Sequence, residues 1–138
     1  MADGPIDLIH IEGEGNSVVL RVTGEPDAEE LTGELIVASG FVRGRLDWPV
    51  SSADLAEWQE ALDELDAGYD VSWCGGGHGP EMVVVRDSDL DRLLVTIKDR
   101  AASSTTVDIG VPVADSWFDE AYDRLDLVWK TWPGMAKA

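Results

Sequence analysis

Apolar residues recur with a period near two from Ile6 to Val50, then with a period of three to four from Leu55 to Leu65. The first rhythm fits strands, whose side chains point alternately to two faces. The second fits a helix with one buried stripe. Ile6 to Ile11 reads as a first strand. "GEGN" (Gly13 to Asn16) is a turn, and "SVVLRVTG" from Ser17 completes a hairpin. The acidic loop Glu25 to Glu30 leads to a third strand from Leu31. Phe41 to Val50 returns as a fourth, with Leu46 and Trp48 on one face. Ser51 and Asp54 then have capping-box spacing, with Asp in place of the usual Glu. Leu55, Trp58, Leu62 and Leu65 form the helical stripe, and Gly68 is placed to stop the helix.

The second half repeats the plan. "DVSWC", "EMVVVR", "RLLVTIKD" and "TTVDIGVPV" read as four more strands, the first of them short. A second helix is expected from about Asp115, with Trp117, Phe118, Ala121, Tyr122, Leu125, Val128, Trp129 and Trp132 on its apolar side and Pro133–Gly134 at its end. That stripe is wider than the first, which predicts deeper packing. Leu46-Asp47-Trp48-Pro49-Val50 matches Ile109-Gly110-Val111-Pro112-Val113 at a constant offset, which also carries Leu55 to Phe118 and Leu62 to Leu125. In both places a strand closes at a proline, which cannot donate to a ladder, and a helix follows. The expected architecture is therefore α+β in a single domain: about eight mostly antiparallel strands, two amphipathic helices, and two ββββα-like halves. No alternating βαβ pattern suggests a parallel sheet.

Composition changes the picture through charge. The 138 residues hold 28 acids against 10 Lys plus Arg, a net −18. Such a field repels nucleic acid and anionic membrane and attracts cationic partners. Solubility, salt adaptation and a high-GC genome are competing origins of the same acidity. One cysteine permits no internal disulfide, and the N-terminus has no basic segment followed by an apolar run. Both fit a cytoplasmic protein. No apolar run approaches the ~20 residues a membrane span needs.

Candidate chemistry is sparse. "VSWCGGGHGP" places Cys74 and His78 on either side of three glycines. A catalytic pair needs a preorganised base, and a flexible tether does not supply one. Zinc would need further ligands, and the remaining histidine is His10. The glycines lack the lysine and hydroxyl of a phosphate loop. The stretch reads as a hairpin loop. "RDSDLD" resembles the start of a calcium loop, but counting from Asp87 the sixth position is Arg92 and the twelfth Lys98, where Gly and an acid are needed. No metal, cofactor or catalytic residue is expected. What remains is the first helix, whose outer faces carry Asp54, Glu57, Glu60, Asp63, Glu64 and Asp66 and no basic residue. Such a face is either merely solvated or a contact face for a basic partner, extended by Glu25, Asp27, Glu29 and Glu30. Trp48 and Trp73, on short strand ends beside loops, are either core or interface anchors.

"IDLIHIEGEGNSVVLRVTG" together with "ELIVASGFVRGRLDWPVSSADLAEWQEALDEL" resembles a family of small, uncharacterised actinobacterial proteins defined as a domain of unknown function. The likeness runs through the "VPV…W" approach to the last helix and carries no established activity. Gly40-Phe41-Val42-Arg43-Gly44, followed by Asp54-Leu55 and Trp58, also resembles WapI-type immunity proteins. That second likeness implies a cytoplasmic protein that neutralises a toxin by binding it, without catalytic residues. The leading expectation is a non-catalytic binding protein of immunity or inhibitor type, with Asp54, Glu57, Glu60, Asp63, Glu64, Trp48 and Trp73 facing a basic protein partner. The alternatives are an accessory or scaffold subunit of a cytoplasmic assembly, and an enzyme using His10, Cys74, His78 or paired acids.

Overall fold

The computed structural model describes residues 5–25, 29–74, 79–87, 92–100 and 103–136. The chain runs β1 (Ile6–Glu12), β2 (Ser17–Thr23), β3 (Glu30–Ala38), β4 (Arg43–Asp47), β5 (Val50–Ser51), α1 (Ser52–Asp66), β6 (Val71–Trp73), β7 (Glu81–Asp87), β8 (Arg92–Asp99), β9 (Thr105–Pro112) and α2 (Trp117–Thr131). A 3₁₀ turn follows at Pro133–Ala136. The strands form two antiparallel sheets, in the orders β1-β2-β3-β4 and β6-β7-β8-β9, with β5 paired to β3. The α+β class and the ββββα plan of each half are as the hydrophobic rhythm implies, but there are two separate sheets.

The expected fourth strand is interrupted. Glu34 pairs Asp47 and Leu31 pairs Val50 in one unbroken register, yet the ladder stops at Trp48–Pro49. Proline has no N–H to give. Opposite Trp48, Gly33 lets the chain approach so closely that a Cβ there would run into the Trp48 carbonyl. Trp48 N–H still donates to Gly33 O at 2.9 Å.

Ser51 caps α1 as its spacing predicts. Its hydroxyl accepts from Asp54 N–H at 3.1 Å, and Asp54 Oδ2 accepts from Ser51 N–H at 2.9 Å. The helix ends in a Schellman motif. Gly68, at φ +103°, donates to Leu65 O, and Tyr69 donates to Glu64 O. Leu55, Trp58, Ala61, Leu62 and Leu65 are buried.

α2 begins at Trp117 and has no side-chain cap. The expectation that it packs more deeply than α1 is wrong. It buries Trp117, Ala121, Leu125 and Val128, while Phe118, Tyr122 and Trp129 are half-buried on its flanks. The reason is the number of neighbours. α1 touches β5, β6, β7, α2 and the 3₁₀ turn, whereas α2 rests chiefly on β1, with α1 and the 3₁₀ turn beside it. The flanks of the wider stripe are only partly covered: Arg86 of β7 lies over the Phe118 ring at 5.3 Å, and Tyr122 reaches Asp63 of α1.

The inner faces of both sheets and both helices share one hydrophobic cluster. Its construction follows the internal repeat. Each helix packs on the first strand of the other half, α1 on β6 and α2 on β1. The offset that carries Pro49 to Pro112 also carries Ile9↔Leu20 to Ser72↔Val83 and His10↔Val19 to Trp73↔Met82, so the opening hairpins share a register. Trp73 Nε1–H donates to Asp54 O, and Trp117 Nε1–H donates to His10 O, both at 2.9 Å. Under the offset these are the same two positions, with the indole on opposite partners. Farther along, Arg86 donates to Leu65 O at the end of α1, and Trp132 Nε1–H donates to Gly24 O.

Candidate functional site

The acidic face of α1 comes first, because a basic partner would need it exposed. Glu57, Glu60, Asp63 and Glu64 are exposed, and so is Asp66. Asp54 is half-buried and committed to the capping box. Glu57 Oε1 accepts from Cys74 N–H at 3.0 Å, and Asp63 Oδ1 accepts from Tyr122 O–H at 2.6 Å. The side chains of Glu60 and Glu64 make no hydrogen bond or ion pair among the described residues.

The second helix enlarges this surface in a way the sequence reading missed. α2 exposes Asp119, Glu120, Asp123 and Asp126. The repeat offset carries Glu57, Glu60 and Asp63 to Glu120, Asp123 and Asp126. The signal was therefore in the chain: the same offset that aligned the two helix approaches repeats three outward acids. The Tyr122–Asp63 bond joins the two helices. Partial burial pushes the Tyr122 phenol up, and the bond to Asp63 and the charges of Asp63 and Asp66 push it the same way, so it stays a donor. Two cations lie on the helices. Arg124 is half-buried and reaches Asp7 O at 3.4 Å, and Lys130 is tied to Asp126 at 3.0 Å.

The tryptophans are a correction. Trp48 is 1% and Trp73 0% exposed, so neither can anchor a partner. Their rings stack at 5.5 Å and 12°, and Trp58 leans on Trp73 at 5.2 Å. The strand ends that looked like loop rims are the centre of the α1–β6 packing. In the loop after β2, Glu25, Glu29 and Glu30 are exposed, and Asp27 lies outside the described residues.

Cys74 sits at the start of the β6–β7 connection with φ 65°. His78 lies outside the described residues. The thiol faces Asp54 Oδ1 at 3.8 Å, and ligand atoms of Asp54, Glu57 and Cys74 lie within 4.8 Å of one another. Twenty residues separate Asp54 from Cys74, and no spacing rule links them; packing of α1 on β6 does. Burial, reinforced by the Asp54 and Glu57 charges, pushes the thiol up to about 12 against a bond from Trp48. Such a thiol is a poor nucleophile at neutral pH. Both carboxylates already hold a backbone N–H, which accounts for their positions.

His10 is elsewhere. Its Nε2 meets Glu12 at 2.8 Å and its Nδ1 meets Asp7 at 3.4 Å. It lines a polar cavity of about 390 Å³ with Glu120 and Arg124, while Cys74 lines another of about 320 Å³ with Trp48 and Glu57. The structure does not bring His10 and Cys74 together. In the "RDSDLD" stretch, Asp87 pairs Arg92 across the β7–β8 hairpin at 3.1 Å, which is a turn closure; Asp89 and Asp91 lie outside the described residues. No helix is long and apolar enough to cross a membrane among the described residues.

A family model matches residues 6–133, and its description is a family of unknown function, DUF5959; the chain belongs to that family. No curated protein matches the chain.

Proposed function

We propose that this member of a family of unknown function is a non-catalytic binding protein that holds a basic protein partner on the acidic face of α1 and α2. Immunity and inhibitor proteins act in this way on toxin domains. The observation that carries the reading is the repeated, exposed acid set: Glu57, Glu60 and Asp63 on one helix, Glu120, Asp123 and Asp126 on the other. Of these six acids Asp126 alone has an ion-pair partner among the described residues, Lys130, and like charges a turn apart destabilise a helix by repulsion. A partner with a cationic surface would relieve that repulsion, associate quickly and be blocked from phosphate-bearing substrates. The cytoplasm is the compartment this reading implies.

An accessory subunit would need an exposed apolar patch, and Trp48 and Trp73 do not supply one, since both rings are in the core. For an enzyme built on His10 and Cys74, the two residues line different cavities among the described residues.

The test uses basic toxin domains encoded beside this gene, measured by titration calorimetry. Wild type is expected to bind one of them, with affinity falling as salt rises. Reversal at Glu60, Glu64, Asp119 and Asp123 to Lys should weaken binding by ~100-fold or more, about 3 kcal/mol. None of the four side chains makes a hydrogen bond or ion pair among the described residues, so circular dichroism should be unchanged. Undiminished affinity in the reversed protein would remove the face from the reading.

A further inference from the structure

At the far edge of the first sheet, the turn between β3 and β4 holds Phe41 96% exposed. The turn is well tied. Ser39 Oγ accepts from Phe41 N–H at 3.1 Å and from Val42 N–H at 2.9 Å, and Ser39 N–H donates to Val42 O at 2.8 Å. β4 is the edge strand, paired to β3 on one side. The hydrogen-bonded pairs Gly33–Trp48 and Ser39–Val42 fix the ladder's parity. Antiparallel ladders alternate, so residues 44 and 46 aim their backbone groups at β3. Arg43, Arg45 and Asp47 aim theirs outward. Among the described residues nothing pairs with them.

Beside this edge, Val37, Leu46, Ile97 and Val107 line an apolar groove of about 200 Å³ between the two sheets. A Cβ built on Gly44 would meet Val37 alone, at 3.8 Å, so space stands open on that side of the strand. The Arg43 side chain makes no hydrogen bond or ion pair among the described residues, and Arg45 lies 3.6 Å from Glu34.

We propose that β4 pairs antiparallel with β4 of a second copy of this chain, about a two-fold axis at Arg45. The outward backbone groups require this parity. In this register Arg43 stands opposite Asp47 of the second copy, twice over. Gly44 faces Leu46 of the second copy, which enters the open space beside the groove. Phe41 faces the exposed Pro49 of the second copy. Charges on an edge strand usually prevent pairing. Here Arg43 and Asp47 are of opposite sign and cancel across the axis, and each Arg45 keeps its own Glu34. Net charge opposes the approach of two copies, so salt strengthens the association. The surface is separate from the acidic helical face, and the two readings stand or fall independently.

Sedimentation of the full chain in 0.5 M NaCl (about three times physiological ionic strength) tests it. Wild type is expected to pass from monomer to dimer below ~1 mM, and to dimerise less at low salt. Asp47→Arg sets like charges opposite one another and should weaken dimerisation by ~10-fold or more. Arg43→Asp makes the like-charged pair from the other side and reads the same register should Asp47→Arg fail to fold. The double swap R43D/D47R restores opposite charges and should recover association to within ~3-fold. A wild type monomeric at ~1 mM in 0.5 M NaCl overturns the proposal. So does a dimer indifferent to both single changes, or a double swap that associates no better than either.

Discussion

Cys74 is the residue at which sequence and structure differ most in meaning. In the chain it sits beside three glycines and a histidine, and attention goes to that neighbourhood. In the fold its relevant neighbours are Asp54 and Glu57, from a helix twenty residues earlier. Burial and two carboxylates make it a protonated thiol at neutral pH. Labelling by a disulfide reagent at pH 8 should therefore run on the order of a thousandfold slower than for a free cysteine of pKa ~8.5. The rate should rise about tenfold per pH unit, up to about 12. Asp54→Asn removes the nearest negative charge and should accelerate labelling at pH 8. Labelling of the wild type at the rate of a free thiol would show that the sulfur is neither buried nor repelled. The acids of α1 were legible one by one, because an exposed helical face is set by periodicity alone. The roles of Asp54, Glu57 and Asp63 as acceptors were not, since each depends on a group from another element.

At the scale of elements, periodicity and capping chemistry were sufficient for most boundaries. Ser51, Asp54 and Gly68 mark both ends of α1 through local hydrogen bonds, and local bonds need no tertiary partner. What the stripe of α2 could not reveal was how many neighbours would cover it. Trp48 and Trp73 were ambiguous for the same reason: a strand end beside a loop is rim or core according to what packs over it. The two swapped indole bonds give a test of that packing. Trp73→Phe loses the bond to Asp54 O, the stack on Trp48 and part of the contact with Trp58. Trp117→Phe loses the equivalent bond to His10 O, with a single edge contact to Phe118. Urea unfolding should show Trp73→Phe costing ~2–3 kcal/mol and Trp117→Phe ~1–2 kcal/mol. A reversed order would mean that the stacked indoles are not the keystone of the α1–β6 junction.

For the whole molecule, net charge is the dominant fact beyond packing. A balance of −18 means that folding concentrates like charges, and the compact state pays through self-repulsion. The six Lys and Arg ion pairs among the described residues all keep some contact with solvent and contribute little each. Raising NaCl from ~10 mM to ~500 mM shortens the screening length from about 30 Å to below 8 Å. The melting temperature should rise by several degrees, on the order of 1–2 kcal/mol for a chain of this size. A falling melting temperature would show that attractive pairs outweigh the net repulsion. The sequence by itself determined the strands, the capped first helix, the repeated half and the acidity, because these rest on local periodicity, local hydrogen bonds and composition. Tertiary structure alone decided that each helix lies on the opposite half's first strand. It alone buried Trp48 and Trp73, set Cys74 against carboxylates and left the β4 edge open. Those outcomes depend on contacts between residues far apart in the chain, and no local pattern encodes which distant surface a face will meet.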